Sequence, residues 1–245
     1  MILEDHDAVG YAAFRDTLYG ERWLNASTAL EQRPGRSVGK LSTSKRIQED
    51  SRYSSFGTPQ MNHTGALILH SRFATCGGEL FNAHPFVSQS GKTALVHNGV
   101  VSPRGLEFIT SQCDSEGILN EYVRADVSNN PKEIQKVYNK LKGAFACAVL
   151  TEDANGKKYL DLFRNDTYPT LFTTYVDELA TNVFSTIPDM IENAVQDLGW
   201  SMDMMHSVKD NSYLRLDAVT GLIVEEFEVK KEVTRHRVNR NKGKK

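Results

Sequence analysis

Three stretches between residues 69 and 122 decide the fold: LHSRFATCGGELFNAHPF at 69–86, ALVHNGVV at 94–101 and SQCDSEGILNEY at 111–122. The apolar residues around 65–74 and 93–97 predict two buried strands, the second ending at an Asn98-Gly99 turn. The third stretch predicts a helix over 114–124. Acidic residues occupy its first turn, Asp114 is suited to cap it, and Ile118, Leu119 and Tyr122 have helical spacing.

These strand and helix ends present groups that suit an amino-acid ligand. An arginine can bind a carboxylate through two parallel hydrogen bonds, an aspartate can hold an ammonium, and an Asn-Gly turn offers amide donors. Arg72, Asp114 and the turn at Asn98-Gly99 supply these three groups. The pattern alone therefore favours a binding site for an amino acid.

Outward from this region, the chain predicts an α+β fold with helices packed outside antiparallel sheets. Two further helices are predicted over 131–141 and 188–198, from their apolar spacing and from the prolines that begin them. Strands are predicted by short apolar or alternating runs bounded by turn residues. They are 8–15, 18–24, 65–74, 93–97, 144–150, 158–164, 171–175, 182–185, 212–216 and 222–229.

The composition is that of a soluble globular protein. The 245 residues suit one large domain, with 40% hydrophobic and 24% charged residues. The acidic start, MILEDHD, lacks the basic and apolar pattern of a signal peptide. No apolar run approaches the roughly 20 residues of a membrane span. We therefore expect a cytoplasmic protein, in the host cytoplasm if the source is viral, with no membrane partner.

Cysteine usage argues against a disulfide framework or a zinc site. The three cysteines, Cys76, Cys113 and Cys147, are odd in number and share no CxxC spacing. We expect a reducing compartment, no bound metal and no cofactor. Cys113 and Cys147 are expected to be small packed residues.

Charge divides the chain into an acidic body and a basic tail. Residues 230–245 hold eight Lys and Arg and one Glu, so the tail is near +7 although the whole chain is −2. The expected organisation is a domain over 1–229, with a surface insertion at 33–62, followed by the tail at 230–245. Nucleic acid, an acidic protein and the acidic body itself are the candidate tail ligands; the alternative is a solvated, open end.

Four motifs together resemble the class II glutamine amidotransferases, which are N-terminal-nucleophile hydrolases. The resemblance extends over about residues 4–229 and implies a four-layer αββα sandwich. The motifs occur in the family's order: His70-x-Arg72 followed by Ala74-Thr75 and Gly77, then Asn82-Ala83-His84-Pro85, His97-Asn98-Gly99 and Asp114-x-Glu116.

The resemblance implies a role for each motif in binding glutamine. Arg72 would bind the α-carboxylate and Asp114 the α-ammonium. The Asn98 side chain and the Gly99 backbone N–H would form the oxyanion hole. Taken alone, Arg72 could be a structural ion-pair residue, Asn98-Gly99 an ordinary hairpin turn and Asp114 a helix cap.

Further residues would form the pocket wall. Phe73 occupies an aromatic position of the family, Thr75, Cys76 and Gly77 would line the amide side of the pocket, and His84 would support the wall. His70 and His97 are expected to be strand-end histidines with local partners.

The family's nucleophile is a cysteine exposed at the N-terminus, whose own α-amino group is the general base. It stands well upstream of the family segment that matches Asp7–Gly10, whereas this chain begins six residues before Asp7. We therefore expect the first strand and first helix of the domain, with the nucleophile, to be missing. Cys76 has no adjacent α-amine and is expected only to line the pocket.

Three accounts follow. The chain is part of a glutaminase whose full product begins with cysteine and whose ammonia goes to a separate synthetase, as in similar stand-alone domains of bacteriophage genomes. Alternatively it is a non-catalytic glutamine-binding or scaffold protein that docks on a partner, or an enzyme completed by another chain. An absent first strand would leave its neighbour unpaired, so we expect a homo-oligomer or a complex.

Overall fold

The computed structural model describes residues 8–14, 18–24, 36–37, 65–72, 82–107, 111 and 113–230, with only the backbone at 8–14, 18–24, 36–37, 71 and 72. The helices in these ranges are α1 (Asp114–Arg124), α2 (Ile134–Lys140) and α3 (Pro188–Leu198). The strands are β1 (Ala8–Phe14), β2 (Leu18–Leu24), β3 (Arg36–Ser37), β4 (Leu67–Arg72), β5 (Phe86–Val87), β6 (Thr93–Val101), β7 (Gly143–Glu152), β8 (Lys158–Arg164), β9 (Phe172–Val176), β10 (Thr181–Ser185), β11 (His206–Ser207), β12 (Ser212–Asp217) and β13 (Ile223–Glu228).

The strands form three antiparallel sheets. A central sheet has the order β13-β12-β8-β7-β6-β5. In an N-terminal sheet, β1 pairs with β2, β3 and β4. In a small sheet, β9 lies between β10 and β11. The strands predicted over 8–15 and 18–24 pair with each other, as do those predicted over 144–150 and 158–164, both in antiparallel register.

Helices α1 and α2 cover one face of the central sheet. Ile118 and Tyr122 of α1 pack with Tyr138 of α2 against Phe145 and Phe163 of the sheet, and all five side chains are buried. The helical spacing of apolar residues predicted this buried face. Full burial of such side chains is worth about 1.5–3 kcal/mol each, so this face is a large part of the stability of the domain.

The other face of the central sheet packs on the two smaller sheets. Ile68 of β4 and Leu171, next to β9, join Val96, Ala148 and Leu162 of the central sheet in one buried cluster. Helix α3 lies outside the small sheet, where its Ile191 and Val195 pack on Val176. The layers therefore run helix, sheet, sheet, helix, and the predicted αββα sandwich is confirmed.

Several boundaries differ from the sequence prediction. Strand β6 does not end at an Asn98-Gly99 turn but continues to Val101, paired with β7 over its whole length. The short strands β3, β5 and β11, each two residues long, were not predicted, because two residues are too few to show alternation. Most of the 33–62 insertion and of the basic tail lies outside the described residues. Within the described ranges, no helix combines the length and apolar character needed to cross a bilayer.

Candidate functional site

The candidate site lies along β6, on the edge that faces away from β7. Backbone groups of Lys92 and Ser102 bond to Glu152 and Lys142 on the β7 side. Because backbone groups alternate in an antiparallel ladder, those of His97, Gly99 and Val101 point to the opposite edge. Strand β5 pairs only as far as Leu95. Beyond that residue no strand in the described ranges covers this edge, which we call the open edge, and the His97 carbonyl oxygen there accepts a 3.1 Å hydrogen bond from His70 Nε2.

Gly99 is required by the close approach of β6 and β7. Its φ is +131°, a conformation that L side chains rarely adopt. A Cβ built there would lie 2.2 Å from the Ala144 carbonyl oxygen. The Asn-Gly pair was predicted as a turn, but here the glycine lets the strand continue past Ala144, and its N–H faces the open edge. The predicted turn was therefore wrong.

Asn98 points to the opposite face of β6 from His97, toward the space between the sheets. Its side-chain amide Nδ2 donates a 2.8 Å hydrogen bond to Thr186 Oγ1, in the segment between β10 and α3. The amide is therefore held by a residue 88 positions away in the chain. No sequence pattern indicates Thr186, because the contact depends on how the small sheet packs.

Asp114 begins α1 but does not cap it. The capping residue is Cys113, which makes no side-chain capping bond. Asp114 instead turns to β6, where its Oδ2 accepts a 2.6 Å hydrogen bond from the Val101 N–H. The open strand edge offered an unpaired N–H, and the carboxylate accepts from it rather than from its own helix. The predicted cap is therefore wrong, and the carboxylate is tied to the strand that bears Asn98 and Gly99.

Ser115, which the sequence analysis did not single out, joins three of the four motifs. Its Oγ lies 2.7 Å from His84 Nε2 and 3.0 Å from His97 Nδ1, and its side chain is fully buried. The His84 ring also packs on the His70 ring, with 4.1 Å between centroids. His84 thus supports buried structure beside the site, and its predicted supporting place is compatible with these contacts.

A second buried carboxylate fixes the loop before α1. Glu116 Oε2 accepts hydrogen bonds from the Ser111 N–H (2.7 Å) and from its hydroxyl (2.8 Å). Glu116 is 6% exposed, so these bonds replace hydration that the charge has lost. In the Asp-x-Glu motif, Glu116 therefore has a structural role, whereas Asp114 faces the edge of β6.

Asp114 lies near His97, a histidine whose ring is kept neutral by burial. Burial lowers the pKa of His97, and the Asp114 charge and the Ala144 carbonyl oppose that shift only in part. His97 Nδ1 lies 3.8 Å from Asp114 Oδ1, whose carboxylate is 19% exposed. Among the described residues, no group of three or more His, Cys, Asp or Glu side chains could hold a metal ion.

Some of the predicted site residues lie within the described part of the structure, and others lie outside it. His84 and Asp114 lie near His97 at the start of α1, whereas Gly99 is on the edge of β6 and the Asn98 side chain points to the other face of the strand, toward Thr186. The Arg72 backbone ends β4, opposite Ala8 of β1, but its side chain is outside the description. Phe73, Thr75, Cys76 and Gly77 lie outside the described residues. Cys113 and Cys147 are buried, as predicted.

A cavity of about 770 Å³ lies elsewhere, between β4, β10 and α3. Its walls include Leu67, Val183, Ile191 and Trp200. None of the predicted site residues that the structure describes lines this cavity.

Comparisons with known proteins show similarity over about a third of the sequence. No family model matches the chain. The glutamine–fructose-6-phosphate aminotransferase of Chlamydia trachomatis is 33% identical over 104 residues, 37% of this chain and 17% of that protein. That of Aquifex aeolicus is 35% identical over 95 residues, 34% of this chain and 16% of that protein. The matched segments thus span less than a fifth of these relatives.

Solved structures extend the similarity to nearly the whole fold. The glutamine phosphoribosylpyrophosphate amidotransferase of Bacillus subtilis, complexed with ADP and GMP, superimposes with a TM-score of 0.62 and 16% identity. The match covers 93% of this chain and 44% of that one. An allosteric regulatory enzyme of purine biosynthesis gives a TM-score of 0.61, also at 16% identity. The resemblance found in the sequence is thereby confirmed: the chain contains a class II glutamine amidotransferase-like domain with the fold of the N-terminal-nucleophile hydrolases.

Proposed function

We propose that this domain binds glutamine at the open edge of β6 and, when an N-terminal cysteine is supplied, hydrolyses its side-chain amide to glutamate and ammonia. The observation that supports this most directly is the bond from Val101 N–H to Asp114 Oδ2. It ties an acidic group to the edge of β6 two residues from Gly99, which supports an ammonium site near the Gly99 N–H.

Each part of glutamine has a partner in this proposal. Asp114 holds the α-ammonium and Arg72, at the end of β4, binds the α-carboxylate through two hydrogen bonds. The side-chain carbonyl oxygen lies at the Asn98 amide and the Gly99 N–H. Phe73, Thr75, Cys76 and Gly77 line the remaining wall, and His84 supports it from behind.

The hydrolysis assigned to the site has two stages. A cysteine thiolate attacks the amide carbon, and the negative charge that develops on oxygen is stabilised by Asn98 and Gly99. The nitrogen takes a proton and leaves as ammonia, giving a thioester. Water then adds to the thioester, releases glutamate and regenerates the thiol.

The second candidate is a domain that binds glutamine without turning it over. Its support is that neither described cysteine can be the nucleophile. Both are buried, and burial, with the nearby Asp114 charge, raises the pKa of the Cys147 thiol. In that case the domain would act as a glutamine-dependent scaffold for a partner.

Calorimetry with three ligands tests the binding mode. Glutamine carries both charged groups, glutaramate lacks the α-amine, and 4-aminobutanamide lacks the α-carboxylate. Asp114→Asn is expected to weaken glutamine roughly ten- to hundredfold and leave glutaramate unchanged, since a hydrogen bond to a charged group is worth about 1.5–3 kcal/mol. Arg72→Ala is expected to abolish glutamine binding and leave 4-aminobutanamide unchanged.

Arg104→Ala is the matched control, because Arg104 is exposed in the loop after β6. Equal losses of glutamine and glutaramate in Asp114→Asn would contradict the proposed orientation. Ammonia release from glutamine, measured on protein isolated from its natural source with its native N-terminus, then separates the two candidates: binding with release supports the glutaminase, and binding without release supports the scaffold.

The proposal includes a partner, because free ammonia is useful only to an acceptor reaction. We propose that the domain assembles with a synthetase on a separate chain or with a second copy of itself. We also propose that the basic tail at 230–245 contacts an acidic protein or nucleic acid. A monodisperse monomer in light scattering at micromolar concentration would contradict self-association.

A further inference from the structure

The Ser115 hydroxyl is the shared hydrogen-bonding partner of two buried histidines. His84 Nε2 lies 2.7 Å and His97 Nδ1 lies 3.0 Å from Ser115 Oγ, whereas Asp114 Oδ1 and Cys113 Sγ lie farther away, each at 3.5 Å. A hydroxyl has one proton to donate and can accept at its lone pairs. The two histidine nitrogens are its nearest partners, and the bonds with Cys113 Sγ and Asp114 Oδ1 are longer, so we assign the hydroxyl proton to one histidine and the lone pairs to the other.

The surroundings of His97 fix the direction of these bonds. The Ala144 carbonyl raises the pKa of His97, as an acceptor near the ring does, and because Nδ1 lies against Ser115 this influence acts at Nε2, which makes no hydrogen bond of normal geometry among the described atoms. A carbonyl can only accept, which favours a proton on Nε2. In the neutral ring Nδ1 is then an acceptor, and Ser115 donates to it. Ser115 in turn accepts from the His84 Nε2–H.

The direction of these hydrogen bonds decides whether the His97 ring offsets the charge of Asp114. His97 Nδ1 is only 3.8 Å from Asp114 Oδ1. A proton on Nδ1 would face the carboxylate and offset its charge, whereas a bare Nδ1 leaves the charge in place. The other carboxylate oxygen, Oδ2, already accepts from Val101. The charge on Oδ1 is then available to a cationic ligand group.

We propose that Ser115 is a positioning residue, which directs the ring proton of His97 away from Asp114 and so reserves that carboxylate for the α-ammonium of an amino-acid ligand. The identity of the ligand rests on the proposed function, but the hydrogen-bond direction does not. Removing the hydroxyl leaves Nδ1 without its donor. The proton then moves to Nδ1, where it pairs with Asp114 and competes with the ligand.

Ring-nitrogen NMR of the full chain, labelled with ¹⁵N-histidine, reads the tautomers directly. The wild type is expected to show the Nε2–H form at both His84 and His97. In Ser115→Ala, His97 is expected to carry its proton on Nδ1. Ser212→Ala is the matched control, because Ser212, at the start of β12, is also a buried serine, and its hydroxyl donates to the Lys209 carbonyl. It is expected to leave both rings unchanged.

A wild-type His97 protonated on Nδ1 overturns the inference, and this result requires no variant to fold. An unchanged His97 tautomer in a folded Ser115→Ala protein overturns it as well. Ser115→Thr keeps the hydroxyl and is expected to keep the wild-type tautomers.

Measurements of ligand binding distinguish a failure of this inference from a failure of the proposed function. Ser115→Ala is expected to weaken glutamine roughly three- to tenfold, the effect of one hydrogen bond, while glutaramate is unaffected because it has no ammonium. If the wild type binds glutamine and Ser115→Ala binds it equally well, the positioning role is overturned and the proposed function stands. If the wild type does not bind glutamine, the proposed function fails and the tautomers alone decide the hydrogen-bond chain.

Discussion

Replacing Gly99 by alanine tests whether the close approach of β6 and β7 is built into this fold. The new methyl group would lie 2.2 Å from the Ala144 oxygen, which belongs to the backbone of a paired strand and cannot rotate away. The φ of +131° is also unfavourable for any residue with a side chain. We therefore expect both strain and a local separation of the two strands.

The two effects can be given rough magnitudes. A backbone conformation of this kind costs an L residue about 1–3 kcal/mol. Forcing an extra methyl group into packed structure costs a further 1–3 kcal/mol or so. The gain from a less flexible unfolded chain offsets only about 0.4–1 kcal/mol. The sum is about 3–4 kcal/mol, a large fraction of the 5–15 kcal/mol that typically stabilises a domain.

Gly156→Ala separates the two effects, because Gly156 has a φ of +79° and no atom within 4 Å of the added methyl. It should cost only about 1 kcal/mol, the penalty of the left-handed conformation. Urea unfolding followed by circular dichroism measures both free energies. If Gly99→Ala is no more destabilising than Gly156→Ala, the reasoning about strand approach is refuted.

Three further predictions concern other contacts. Asp161→Asn should destabilise the domain by about 3–5 kcal/mol in urea unfolding, because the buried Asp161 accepts two 2.7 Å bonds from Arg215; a loss below 1 kcal/mol would show that the pair is dispensable. Burial alone would raise the Asp217 pKa, but the Thr220 and Val219 N–H groups outweigh it and lower that pKa. The stabilising contribution of Asp217 is therefore present above the unfolded carboxyl pKa of about 4 and is lost as the pH falls through the lower folded value. Wild type and Asp217→Asn should accordingly differ in melting temperature at pH 7 and converge in strong acid, and a constant difference would contradict this. Thr186→Val should shift the NMR signal of the Asn98 side-chain amide, which is assigned as the signal missing from Asn98→Ala. Thr186→Ser keeps the hydroxyl and should restore the wild-type position of that signal. An amide signal that does not move in Thr186→Val would show that the Thr186 bond is absent in solution.

Elements with many residues and a clear period were predictable from the sequence. Helix α1 begins and ends where its apolar spacing and first-turn acids indicated, and α3 likewise follows its proline and apolar stripe. The β7–β8 hairpin follows from two apolar runs around Asn155-Gly156. In each case the pattern extends over several residues, so local preference and burial agree.

Features that depend on a distant partner were not predictable. Asn98-Gly99 has the local character of a turn, and only the presence of β7 makes it the middle of a strand. Asp114 has the local character of a cap, and only the unpaired N–H of Val101 draws it to β6. Thr186 and Ser115 carry no sequence signal at all, because their importance arises from which hydroxyl the packing places beside which ring or amide.

The length of β5 has a consequence for how such a site could be gained or lost. The antiparallel register that pairs Phe86 with Leu95 would next place Pro85 opposite Val96. Because the backbone groups of Val96 face β7, the missing N–H of Pro85 does not stop this ladder. The next pair would be His84 and His97, but the His97 carbonyl oxygen already accepts a 3.1 Å hydrogen bond from His70 Nε2. The His70 imidazole thus takes the place that a longer β5 would need, and a shorter side chain at position 70 would allow β5 to lengthen along β6 and occupy the edge assigned to the ligand. One change outside the binding residues could thus turn a receptor for a small molecule into an ordinary stretch of sheet.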